Sequence, residues 1–145
     1  MATVSAHDPV NAYKEIQIKT ANQIRLIVML YDGAIRHLNL AIDACAEGHR
    51  RYDAINSHLI AAQDILSELM ASLDFEKGGV LAKNLFSLYS FMNRRLLDGN
   101  LKKDAAPLNE VKKMLGDLRE AWDEISTRKG LDDNAAPASG VNIAG

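Results

Sequence analysis

The stretch YDAINSHLIAAQDILSELMASL, residues 52–73, places Tyr52, Ile55, Leu59, Ala62, Leu66, Leu69 and Leu73 at steps that alternate between three and four. That alternation gathers all of them on one side of an α-helix and would scatter them over both faces of a strand. The same beat recurs outward in both directions. Before it stand Ile24, Val28, Tyr31, Ile35, Leu38, Ile42 and Cys45; after it come Leu81, Leu85, Leu88, Met92 and Leu96, then Leu108, Val111, Leu115, Leu118, Trp122 and Ile125. Between residues 20 and 128 the helix breakers cluster at Gly48, at 74–79 and at 98–100. Four long helices with short polar links pack as antiparallel neighbours. The expected fold is all-α, an up-down-up-down four-helix bundle over residues 20–128. Asp104 suits the N-cap of the fourth helix, Pro107 its first turn, and Gly78-Gly79 a tight entry into the third. Residues 1–19, with isolated Tyr13, Ile16 and Ile18, read as a flexible N-terminal lid segment. Residues 129–145 are small and polar and read as a disordered tail.

The 145 residues are 48% apolar and 25% charged, with a net charge of −2, which excludes a disordered chain and fits one domain of middling size. The 17 basic residues against 19 acidic ones leave no electrostatic footprint for nucleic acid or an anionic membrane. Cys45 is the single cysteine, so no internal disulfide and no multi-cysteine zinc site can form. The longest strongly apolar run, 26–31, falls far short of the roughly 20 residues a membrane span needs. The first residues lack a basic and then apolar leader, and an intracellular, cytoplasmic location is expected.

Catalytic patterns are sparse. No Glu-x-x-His occurs and the apolar seams contain no acid, which argues against a di-metal carboxylate bundle. Cys45 and His49 supply two ligands, too few for a closed metal site. A histidine phosphotransfer domain is the enzyme-like alternative, with His58 its best candidate; Ala61 and Ala62 stand where a lysine and a glycine would steady the phosphoryl group. His37, on a flank of the first helix, reads as a boundary histidine. No enzyme activity, cofactor or metal is expected.

The third helix holds an apolar surplus. Beyond its seam it carries Ala82, Phe86, Tyr89 and Leu97, with Asn93 interrupting. A bundle helix touching two neighbours needs a wide apolar arc, which is one explanation. The other is a groove for a partner helix anchored on Phe86 and Tyr89. An exposed groove invites aggregation unless covered, and the N-terminal segment has the size and composition of a displaceable cover.

These residues resemble the bacterial flagellin export chaperones of the FliS family. Tyr13 followed by Thr20-Ala21 resembles the family's opening, although Asn22-Gln23 stands where Ser-Pro is usual. LYDGAI (30–35), AQDILSEL (62–69), GGVLAKNLFSLY (78–89) and LREAW (118–122) resemble its helix signatures, in order, on four helices. The resemblance implies a cytoplasmic bundle that binds the C-terminal segment of flagellin, prevents premature polymerisation and delivers its client to the flagellar export apparatus. It also implies an N-terminal segment covering the groove in the free state. On that reading Tyr13, Ile16 and Ile18 belong to the lid, Ile65, Phe86, Tyr89 and Leu97 contact flagellin, and Trp122 belongs to the core.

Overall fold

The computed structural model describes the backbone of residues 9–47 and 51–139, and the side chains of 22–47 and 51–128. Its described residues form four helices and no strand: α1 (Pro9–Cys45), α2 (Tyr52–Ala71), α3 (Phe75–Lys102) and α4 (Ala105–Ser139). They fall into two compact units, Met29–Arg119 and the combination of Met1–Val28 with Glu120–Gly145.

Within Met29–Arg119 every neighbouring pair of helices runs in opposite senses. Between α1 and α2, His37 meets His58 and Gly33 lies against Ile65. Between α2 and α3, Asn56 bonds Asn100 and Gln63 bonds Asn93. Between α3 and α4, Arg95 pairs with Glu110 and Gly99 abuts Leu108. Between α4 and α1, Arg119 pairs with Asp32, and Asp104 helps to raise the pKa of the Cys45 thiol after burial, the larger cause. In each pair one number rises as the other falls. Tyr31 and Tyr89 join the diagonal helices α1 and α3. The up-down-up-down order expected from the sequence is the order of this unit.

Small residues fill the centre more than the beat of large ones suggested. On α1 the buried line is Tyr31, Ala34, Leu38, Ala41 and Ala44, while Ile35, Ile42 and Cys45 sit half-buried beside it. On α3 it is Ala82, Leu85, Tyr89, Met92, Leu96 and Gly99; Leu81 is 61% exposed and Leu88 half-buried. Alanines let the backbones approach, and the larger branched residues close the gap from the flanks. On α2 the sequence line holds at Ile55, Leu59, Ala62, Leu66 and Leu69; each fully buried leucine contributes about 1.5–3 kcal/mol. In the smaller unit Ile24 and Val28 are buried, Trp122 is half-buried and Ile125 is exposed.

The helix ends also differ from expectation. α1 begins at Pro9, a residue suited to a first helical position, and no glycine or further proline interrupts it before residue 20. Residues 9–19 are therefore its first turns. The side chains of Tyr13, Ile16 and Ile18 lie outside the described residues. α3 does not stop at 98–100 but continues to Lys102, because Gly99 is used for close approach of α4 and not for a turn. Lys103, left-handed at φ 52°, ends it, and Asp104 Oδ1 accepts from Ala106 N at 3.0 Å to open α4. α4 then runs past Gly130 to Ser139.

Candidate partner-binding surface

Asp74 opens α3: its Oδ1 accepts from the backbone N–H of Glu76 and Lys77, both at 3.0 Å. One turn later Gly79 adopts φ 51° and ψ −125°, a conformation without strain only for glycine, and the helix kinks. In a straight helix residues 75 and 86 would lie roughly 16 Å apart along the axis. Here the Phe75 and Phe86 rings meet edge to face with centroids 5.9 Å apart, so the first turn folds back over the helix. The tight entry expected at Gly78-Gly79 is present, and its consequence is an aromatic pair in which both rings remain exposed.

Beyond the kink, Phe86 and Leu97 lie eleven residues apart and so within about 20° of each other around α3. They are 41% and 49% exposed, on the flank of the buried line that faces α2. The Asn56–Asn100 and Gln63–Asn93 bonds fix the α2–α3 register, and the same register sets exposed Ile60 of α2 level with Leu97. Half-buried Met70 reaches Asn93, which lies between Phe86 and Leu97, with its Sδ 3.9 Å from Nδ2. The result is an apolar strip along the α2–α3 seam with amides set into it.

Two of the expected contact residues lie elsewhere. Tyr89 is 1% exposed and belongs to the core: its hydroxyl is 2.5 Å from that of Tyr31, and the rings meet edge to face at 6.3 Å. Burial first, and then the bond to Tyr31, push its pKa far above the usual phenol range. The sequence pattern puts Leu88 in the seam and Tyr89 on the second stripe, whereas in the structure Tyr89 fills the seam and Leu88 is half-buried. Ile65 lies on the opposite flank of α2, with its Cδ1 3.3 Å from where a Cβ on Gly33 would stand. It packs toward α1 and is not brought to Phe86 and Leu97. Phe75 and Ile60 were missed. Phe75 stood in a segment read as a link, and Ile60 falls off the beat of its helix.

Other polar groups are used in packing. His58 Nδ1 lies 3.1 Å from His37 Nδ1, which makes it half of an interhelical contact and not the freely presented imidazole that phosphoryl transfer needs. Among the described residues no group of three or more His, Cys, Asp or Glu could hold a metal ion, and no helix is long and apolar enough to cross a membrane. His49 lies outside the described residues.

The profile of the family described as flagellar protein FliS matches residues 6–129. The chain belongs to the FliS family. The flagellar secretion chaperone FliS of Salmonella typhimurium is 36% identical over 135 residues, covering 86% of this chain and 95% of that protein. Its counterpart in Bacillus subtilis is 32% identical over 119 residues, covering 82% and 86%. The flagellar secretion chaperone FliSB of Pseudomonas aeruginosa is 36% identical over 115 residues, covering 77% and 87%. These FliS relatives are named as chaperones and not as enzymes, in accord with a chain whose distinctive surface is apolar.

Proposed function

We propose that this chain is a cytoplasmic, flagellin-specific export chaperone. It binds the C-terminal segment of flagellin along the α2–α3 seam, keeps that segment from polymerising early, and aids its delivery to the flagellar type III export apparatus. The observation that carries this reading is the exposed strip of Phe75, Phe86, Leu97 and Ile60 in a family whose members are named flagellar secretion chaperones. Flagellin's terminal segments are amphipathic, and burying their apolar face on such a strip shields the surface that would otherwise join a filament. Ordering the client offsets part of the burial energy, so binding is specific yet reversible without nucleotide. On this reading the N-terminal segment bearing Tyr13, Ile16 and Ile18, helical at the start of α1 here, folds over the exposed strip in a second conformation of the free chain, and the client displaces it.

Co-purification tests the reading. Flagellin is expected to be retained by the chain, and flagellin lacking its C-terminal segment is expected to pass through. Equal retention of both would contradict the proposal.

A further inference from the structure

Between Phe86 and Leu97 the face of α3 carries two half-buried polar side chains, Ser90 and Asn93, and the amide orientation of Asn93 in the free chain follows from what it touches. Its Nδ2 lies 3.9 Å from Met70 Sδ, a thioether that accepts weakly and has no proton to donate. Turning the amide over would set oxygen against sulfur, so Oδ1 points the other way. There it is shielded from solvent, and among the described residues it is the buried side-chain oxygen with no hydrogen-bond partner. Gln63 does not relieve it, since its Nε2 donates to the Asn93 backbone carbonyl at 3.3 Å. An unmatched buried carbonyl destabilises the free chain, whereas an apolar residue at this point of the strip would not.

We propose that Asn93 Oδ1 is the acceptor for a side-chain N–H or O–H of the client. The occupant of the strip is then an amphipathic helix with an amide or hydroxyl side chain set among its apolar anchors. The proposal rests on the flagellin reading and adds the chemistry that selects among apolar segments. Phe86 and Leu97 attract any apolar helix; Asn93 separates one with a correctly placed donor from one without. A site prepared for a hydrogen bond discriminates strongly, because a segment lacking the donor leaves the site's own polar group unpaired. The spacing on α3 specifies the pattern on a helix lying alongside. The donor falls about two turns from the residue over Phe86 and one turn from that over Leu97. Oδ1 is shielded in the free chain, so contact requires the Asn93 side chain to turn toward the client, which its long Nδ2 contact with Met70 permits.

The test uses the full chain and the C-terminal segment of flagellin as probe. Calorimetric titration is run on the wild type, Asn93→Leu, Asn93→Ala and Phe86→Asp, with the urea midpoint of each free protein. Asn93→Leu is expected to raise the midpoint and, like Asn93→Ala, to weaken binding about tenfold, the scale of one hydrogen bond. Phe86→Asp is expected to lose binding. Alanine replacement of each Ser, Thr, Asn and Gln of the probe should reveal one position that matters to the wild type and not to Asn93→Leu. Wild-type affinity in both Asn93 variants, a midpoint lowered in both, or no such coupled position overturns the proposal, and the groove reading then stands on the loss in Phe86→Asp. Undiminished binding by Phe86→Asp overturns the groove reading itself.

Discussion

Removing the hydroxyls of Tyr31 and Tyr89 one at a time weighs the contact that joins the diagonal helices. The two side chains are 0% and 1% exposed, their oxygens are 2.5 Å apart, and phenylalanine at either position keeps the edge-to-face ring contact. Tyr89→Phe removes one partner of a buried bond, a net loss of about 1 kcal/mol. Tyr31→Phe strands the Tyr89 hydroxyl, whose hydrogen bond among the described residues is this one, and is expected to cost about 1–3 kcal/mol. The double variant removes both groups, so it should be less destabilised than the two singles combined, by about 1 kcal/mol or more. That coupling corresponds to about 4 °C in a thermal midpoint for a chain of this size. Urea melts followed by far-UV circular dichroism measure it. Burial and the bond hold the Tyr89 proton beyond the pH where an unfolded tyrosine ionises, near 10. The contribution is therefore full below about pH 10 and is lost as pH rises above it, and Tyr89→Phe should flatten that alkaline decline. Additive single costs, within about 0.3 kcal/mol, would refute the pairing.

Two other contacts give predictions of definite sign. Burial, and then the neighbouring His58 and Arg36, lower the pKa of His37 below 6.5, so the unfolded chain binds more protons just under that pH. Stability from this group is full above about pH 6.5 and falls as pH drops through the folded value; urea midpoints from pH 8 to 5 should show the decline, flattened in His37→Gln, and a flat wild-type profile would contradict it. Gly99→Ala improves helix propensity by up to about 1 kcal/mol. The added Cβ would nonetheless overlap Leu108 Cδ1 and stand 3.2 Å from the Asp104 carbonyl oxygen. Overpacking of about 1–3 kcal/mol should prevail and lower the melting temperature, whereas a rise would show that α3 and α4 are not closely apposed there.

The architecture was legible because the α2 seam from Ile55 to Leu69 is its helix's dominant line of large apolar residues, and three- and four-residue steps admit one reading. On α3 two lines compete, Leu81 with Leu88 and Ala82 with Tyr89. A pattern that favours large aliphatics selects the first, while packing selects the second, in which the Tyr89 ring and hydroxyl meet Tyr31 of α1. Gly99 carried the opposite error. It looked like a breaker by type, yet what uses its missing side chain is Leu108, distant in sequence. The exposure of Phe86 and Leu97 was legible from their place outside the seam. The approach of Phe75 to Phe86 was not, since it depends on the φ of Gly79, which residue types alone do not specify. Ile65 failed for a related reason: an apolar flank residue has two sides to choose from, and Gly33 gives it room on the α1 side.

On the proposed function, the exposed strip on α3 receives flagellin's C-terminal segment. The most direct test is the affinity of that segment for the wild type and for Phe86→Asp, with far-UV circular dichroism confirming that both are equally helical. The account predicts saturable binding to the wild type and its loss in a variant that stays folded. Equal affinity for both proteins would contradict it.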